Sequence, residues 1–301
     1  MKKLVALLGL ASILGCSRPR EPASVSDDSG PRAPSGGSQG LQEGSSTPAV
    51  ATATTTTTTT AAPPPAPPGK PGKGVIGPEG VLAFDALKPD DAKRLKTARI
   101  FFGHQSVGNN LIEAAKGLGY TFKYALRGAD LAAMGLSEAP VADNRDPLRK
   151  VKSFAELLVK EKIGERADLA GFKLCYVDFE DQGKTGGLEK AYATRISELR
   201  LAYPQLKFFH VTPPLTTDNA GFNKQRLAFG DFLKKTYSEQ DIVIDLAAVE
   251  SQLPDGTPCT LGGHRSLCSQ YASDNGHLKG DGATRGAKVL LYAFARALGA
   301  P

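Results

Sequence analysis

From Ser17 to Glu79 the chain contains no Phe, Tyr or Trp. Thr54 to Thr60 is an unbroken threonine run, closely followed by Pro63–Pro65 and Pro67–Pro68. Such a stretch buries too little apolar surface to offset the entropy of ordering it. Residues 16–80 therefore read as a disordered Thr/Pro/Ser-rich linker, leaving 81–301, Val81 to Pro301, as the folded body. That length supports one domain with a real core and leaves no room for a large multidomain enzyme.

Residues 1–15 read as a signal peptide: Lys2 and Lys3 precede an apolar run, Leu4 to Leu14, too short to span a bilayer as a helix. The segment Ser12-Ile13-Leu14-Gly15-Cys16 resembles the bacterial lipobox. That resemblance implies that Cys16 is acylated and becomes the new N-terminus, with membrane lipid as a partner. By the same resemblance Ser17, which stands where an Asp would signal retention, implies the outer membrane of the cell envelope. Acyl chains anchor stably at about 0.8 kcal/mol per buried CH₂. The formal net charge is +6. Lys2 and Lys3 supply part of it and lie in the leader. No basic stripe interleaved with aromatics occurs, so nucleic acid is not an expected partner.

In the body, helical spacing is expected at 88–97, 108–116, 147–160, 188–201, 222–235 and 283–298. Apolar strands are expected at 99–102, 121–126, 172–179, 207–211 and 242–246. Residues 129–146 read as a long insert beside the site. Apolar strand runs alternating with helices predict an α/β fold with a mostly parallel central sheet covered on both faces. Function in such folds gathers at the C-terminal ends of strands.

Ser106 lies there, in Phe101-Phe-Gly-His-Gln-Ser-Val-Gly-Asn-Asn110, between a strand and a helix start. A serine needs a base to become nucleophilic. A helix start offers free N–H groups to a developing oxyanion. Asp274-Asn-Gly-His277, just ahead of the last helix, supplies a histidine with an aspartate placed to orient it. The alternative for Ser106 is a helix cap, and for His277 a plain loop histidine. His104 is a candidate pocket wall, whereas His210, in an apolar strand, reads as a core residue.

The arrangement resembles the SGNH/GDSL hydrolase superfamily over roughly Arg99 to Leu298. That resemblance implies a three-layer flavodoxin-like SGNH-hydrolase fold and ester hydrolysis. It makes Ser106 the nucleophile, His277 the base and Asp274 its orienter. It also makes Gly128 a candidate oxyanion donor. The chain departs from the family at His104-Gln105-Ser106, where Gly-Asp-Ser is usual. It departs again at Cys175-Tyr-Val-Asp178, where the family has Gly-x-Asn-Asp. An ionised Asp178 cannot donate to an oxyanion, so either the missing donor comes from elsewhere, with Gln105 and Asn109 the candidates, or the site is impaired; Asp178 is then a structural carboxylate or a substrate contact.

Cys259 and Cys268 bracket a loop with little else to hold it. In an exported protein they are expected to form a disulfide, leaving Cys175 as a buried hydrophobe. A metal site at Cys259, His264 and Cys268 lacks the usual ligand number and spacing. No metal or other cofactor is expected. Gly183-Lys184-Thr185 lacks the first glycine of a phosphate loop, and Gly103-His104 breaks the Gly-x-Ser-x-Gly pattern. The expectation is a monomeric serine esterase acting on an acyl ester or an acetylated saccharide. The alternative is a non-catalytic carbohydrate- or envelope-binding lipoprotein, in which Ser106 and His277 lie apart. The absence of Trp limits any sugar-stacking surface to Tyr or Phe.

Overall fold

The computed structural model describes residues 72–132 and 135–300. Cys16, the leader and most of the linker lie outside these residues. In chain order the elements are β1 Gly74–Ile76, α1 Gly80–Asp85, α2 Pro89–Thr97, β2 Arg99–His104, α3 Val107–Gly117, β3 Lys123–Tyr124 and β4 Gly135–Pro140. Next come α4 Pro147–Val159, β5 Leu169–Lys173, α5 Gln182–Thr185, α6 Leu188–Ala202, β6 Lys207–Val211, α7 Ala220–Tyr237, β7 Ile242–Ile244 and α8 Leu246–Glu250. A small antiparallel pair, β8 Thr260–Leu261 and β9 His264–Arg265, precedes α9 Gly280–Ala297.

The central sheet has seven strands in the order β1-β7-β6-β5-β2-β4-β3, and every neighbouring pair is parallel. Its middle five strands follow the flavodoxin-like order, with β1 and β3 added at the edges. Alternate strand residues feed two cores. Ile100, Phe102, Phe209 and Ile242 pack with α1, α3, α8 and α9. Phe101, Phe172, Phe208 and Val243 pack with α4, α6 and α7. The expected three-layer α/β architecture is therefore present, and Ser106 stands just past the C-terminal end of β2, an interior strand of the sheet.

Several expectations need correction. The folded body begins before Val81, because β1 pairs in register with β7 within the segment read as linker. The 172–179 strand stops at Lys173, and Tyr176–Phe179 form a turn of 3₁₀ helix that redirects the chain at the sheet's rim. The 121–126 strand shrinks to two exposed edge residues. Most consequentially, the 129–146 insert contains β4, a strand adjacent to β2. Its sequence, Gly-Leu-Ser-Glu-Ala-Pro, has no apolar run, because Glu138 faces His104 rather than hydrocarbon.

The Cys259–Cys268 disulfide is formed and Cys175 is free and buried. Cys268 N–H donates to Glu250 O at 2.9 Å and Leu267 N–H to Thr216 O at 3.4 Å, so the clipped loop is tied to α8 and to the segment after β6. Cross-linking so short a loop stabilises by about 2–3 kcal/mol in the chain-entropy account. Reduction should therefore lower the urea midpoint by a matching amount; identical unfolding curves with and without reductant would contradict this.

Candidate active site

Ser106 occupies a sharp turn. Its backbone lies at φ 54°, ψ −108°, a conformation costing a non-glycine residue about 1–3 kcal/mol. Several contacts hold it there. Asn109 N–H donates to Ser106 O at 2.7 Å and Gly108 N–H to Gln105 O at 3.0 Å. The Gln105 amide donates to Val141 O at 2.7 Å. Beneath the turn the His104 ring is 3% exposed and its Nε2 lies 3.0 Å from Glu138 Oε2. A Cβ on residue 108 would sit 2.5 Å from that ring, so only glycine lets α3 start this close. The local sequence misses the Gly-x-Ser-x-Gly pattern, yet the backbone makes the same strained strand–turn–helix.

The Ser106 side chain does not cap α3. Its hydroxyl instead meets His277 Nε2 at 2.5 Å, and His277 Nδ1 meets Asp274 Oδ2 at 2.7 Å. With Nδ1–H donating to the carboxylate, the Nε2 lone pair is left to accept the serine proton. The other Asp274 oxygen accepts the N–H groups of Gly276 and His277, both at 2.8 Å. These backbone bonds, ahead of the His277 contacts, hold the Asp274 carboxyl down at about 2, so it stays ionised. A non-catalytic module was expected to hold Ser106 and His277 apart; they are in hydrogen-bond contact.

The loop carrying His277 is fastened from several sides. Leu278 N–H donates to Asn110 Oδ1 at 3.1 Å, docking it on α3. Thr217 N–H donates to Asn275 O at 2.9 Å, and Ala272 bridges Leu278. Tyr176 packs its ring edge-on against the imidazole, with centroids 5.6 Å apart. A Cβ at residue 276 would come within 2.5 Å of that ring, so Gly276 permits the contact. Burial pushes the Tyr176 hydroxyl up to about 12, which keeps it neutral. Buried Arg226 donates to Tyr176 O at 3.1 Å and to Thr216 Oγ1 at 2.8 Å, joining the turns that follow β5 and β6.

The remaining sequence candidates separate. Gly128 is not available as an oxyanion donor: its N–H is taken by Glu161 O at 2.6 Å, and a Cβ there would strike Lys162 O. His104 is a buried support under the turn rather than a pocket wall. Asn109 is exposed on the first turn of α3. Gln105 has committed an amide hydrogen to Val141. Asp178 faces no substrate space. It is 1% exposed and accepts from Lys150 Nζ at 2.7 Å, Cys175 N–H at 2.6 Å and Arg145 N–H at 2.8 Å. His210 is a core histidine, as expected, held by Tyr192 and Asp241. The Cys259 and Cys268 sulfurs are consumed by their disulfide. Among the described residues no cluster suited to a metal ion occurs.

Sequence reasoning missed Tyr176, Asn110, Glu138 and Lys150. The available signal for Lys150 was Asp146-Pro147, a capping residue and a first-turn proline that fix where α4 starts and turn Lys150 inward. The His277 and Asp274 side chains are 33% and 57% exposed, so the site is open to solvent. A cavity of about 690 Å³ between α6 and α7 includes none of Ser106, Asp274 or His277.

No protein-family model matches the chain, and no curated protein matches it. Solved structures that it resembles include a Streptococcus pneumonia protein provisionally described as a platelet activating factor. That chain is 12% identical with a TM-score of 0.44, over 70% of this chain and 89% of the other. A Desulfitobacterium hafniense DCB-2 protein provisionally described as a G-D-S-L family lipolytic protein is 10% identical, TM-score 0.38, over 64% and 98%. An acetylxylan esterase from Geobacillus stearothermophilus, solved as a catalytic mutant, is 12% identical, TM-score 0.39, over 69% and 97%. Residue roles in this chain therefore rest on its own geometry.

The Lys150–Asp178 pair is fully buried. Removing one partner strands a charge, at about 3–5 kcal/mol. Lys150→Met should show that loss in chemical denaturation, and Lys150→Met with Asp178→Leu should recover much of it. Equal stability of the single variant and the parent would contradict the assignment.

Proposed function

We propose that this divergent SGNH-hydrolase-like domain is a serine ester hydrolase that removes acyl or acetyl groups from a saccharide of the cell envelope or its surroundings. The observation that carries the reading is the Ser106–His277–Asp274 chain of hydrogen bonds, at 2.5 and 2.7 Å, on a strained turn at a helix start. A structural serine at that position would cap α3; this one points at a histidine instead.

In the mechanism His277 Nε2 takes the Ser106 proton as Oγ attacks the ester carbonyl. Asp274 holds the imidazole in the productive tautomer and stabilises the imidazolium that forms. The N–H groups of Gly108 and Asn109 are already bonded to Gln105 O and Ser106 O, so the N–H groups of Ser106 and Val107, together with the helix dipole, stabilise the developing oxyanion. The imidazolium then protonates the departing alcohol. Water, activated by the same histidine, attacks the acyl-serine, and Ser106 leaves with its proton restored. Acylation and deacylation each end with the site back at its starting protonation.

The saccharide part of the reading follows from shape. An exposed histidine and aspartate suit an ester displayed on a bulky alcohol better than a long acyl chain that needs a dry tunnel. Tyr176 beside the imidazole is the aromatic surface at the site. Acylation at Cys16 would tether the enzyme at the outer membrane, with the Thr/Pro-rich segment as a spacer of about 3 Å per residue where extended.

Turnover of p-nitrophenyl acetate should vanish in Ser106→Ala and His277→Ala, and Asp274→Asn should lower kcat by about 10⁴-fold through the wrong tautomer. Asp274 stays ionised down to about pH 2, so its orienting carboxylate is retained across the ordinary assay range. Full activity in the Ser106 and His277 variants would overturn the esterase reading. In cells fed labelled palmitate, the parent should take up label in the membrane fraction and Cys16→Ala should not; equal labelling would contradict the anchor.

A further inference from the structure

The side chain expected to complete the oxyanion site is absent after β5, where the resembling family has asparagine and this chain has a buried carboxylate. We infer that Asn144, on the loop after β4, supplies that donor, and that Asp178 and Lys150 exist to aim it. This rests on the esterase reading above and names a catalytic residue within it.

Asn144 is exposed, and among the described residues its only side-chain bond is from Lys150 Nζ to Oδ1, at 2.7 Å. A lysine ammonium has donors and no acceptor. The amide must therefore turn its oxygen inward to Lys150 and its NH₂ outward. Lys150 is itself fixed: it is 0% exposed and pairs with Asp178 Oδ2 at 2.7 Å. The other Asp178 oxygen accepts the N–H of Arg145, the neighbour of Asn144, at 2.8 Å. Arg145 sits at φ 71°, outside the range a side-chain-bearing residue prefers, so this loop is held in shape rather than left to relax.

The loop lies between the two turns that touch the triad. On one side Gln105, the neighbour of Ser106, donates to Val141 O at 2.7 Å, and Val141 N–H donates to His104 O at 3.1 Å. On the other, Asp178 belongs to the same turn as Tyr176, which contacts His277. On this inference the outward NH₂ reaches the oxyanion position beside Ser106. The carboxylate that could not donate thus acts one step back, through a lysine, on an amide that can. Asn144 is the catalytic residue of this set; Lys150 and Asp178 are positioning residues.

The test is steady-state hydrolysis of p-nitrophenyl acetate by the full domain, with Ser106→Ala run alongside. Losing one oxyanion donor costs about 100- to 1,000-fold in kcat. Asn144→Ala should show that loss with KM within threefold of the parent. Asn144→Asp is the decisive variant, because it keeps an acceptor for Lys150 while removing the donor. It should lose as much kcat as Asn144→Ala while melting within a few degrees of the parent. Lys150→Met, assayed where it is folded, should lower kcat without raising KM. If Ser106→Ala abolishes turnover but both Asn144 variants keep kcat within threefold, this assignment fails and the esterase reading stands. If Asn144→Asp alone retains activity, the residue merely satisfies Lys150 and the assignment fails. An inactive parent, or an active Ser106→Ala, overturns both.

Discussion

The hydrogen bond from Ser106 to His277 joins residues 171 positions apart, and the rest of the molecule is arranged so that it can form. Ser106 must be lifted off the end of a central strand, and His277 must be carried over that end on a loop. The parallel sheet does the first: β2 lies between β4 and β5, so the turn after it opens on the rim away from either sheet edge. The second is done by α3 and α9, which pack side by side in one core. Asn110 on α3 then accepts Leu278 N–H from the loop that leads into α9. The nucleophile's helix thus also holds the base's loop.

Strain at the nucleophile is the cost of this placement. Ser106 sits at φ 54° against a local penalty of about 1–3 kcal/mol. Contacts already committed to folding hold it there: the Gln105–Val141 bond, the buried His104–Glu138 pair and the absence of a side chain at Gly108. Burial of polar groups is a recurring device around the site. Asp178, Lys150 and Arg226 are all hidden from solvent, and each joins loops from different strands. None of them looks functional by exposure, yet each fixes a turn that touches the triad or its rim.

Much of the fold was readable because its strands are apolar runs and its helices keep a 3.6-residue period. The strands at 99–104, 207–211 and 242–244 and the helices α4, α6, α7 and α9 follow directly from those patterns. β4 was not readable, for a physical reason. Buried in the sheet, it carries Ser137 and Glu138 in place of hydrophobes because its partner is a buried histidine, not a hydrocarbon core. Misreading that segment as an insert also displaced the search for an oxyanion donor. Gly128 was weighed because it follows the apparent second strand, whereas the strand next to β2 ends twelve residues later and leads to Asn144. Ser106, Asp274 and His277 could be singled out because reactive chemistry narrows the residue types. Asn144 and Tyr176 could not, because an asparagine and a tyrosine acquire a role only from what orients them. The linker boundary erred by a few residues because β1 is three residues long and needs its partner β7 to be a strand at all.

The central claim is that Ser106 is a nucleophile switched on by His277. Covalent labelling with a fluorophosphonate at neutral pH, read by intact mass and peptide mapping, tests it without any assumption about substrate. The account predicts one adduct on the parent, located on Ser106, and none on His277→Ala over the same interval. No adduct on the parent, or an adduct that forms equally fast without His277, would contradict it.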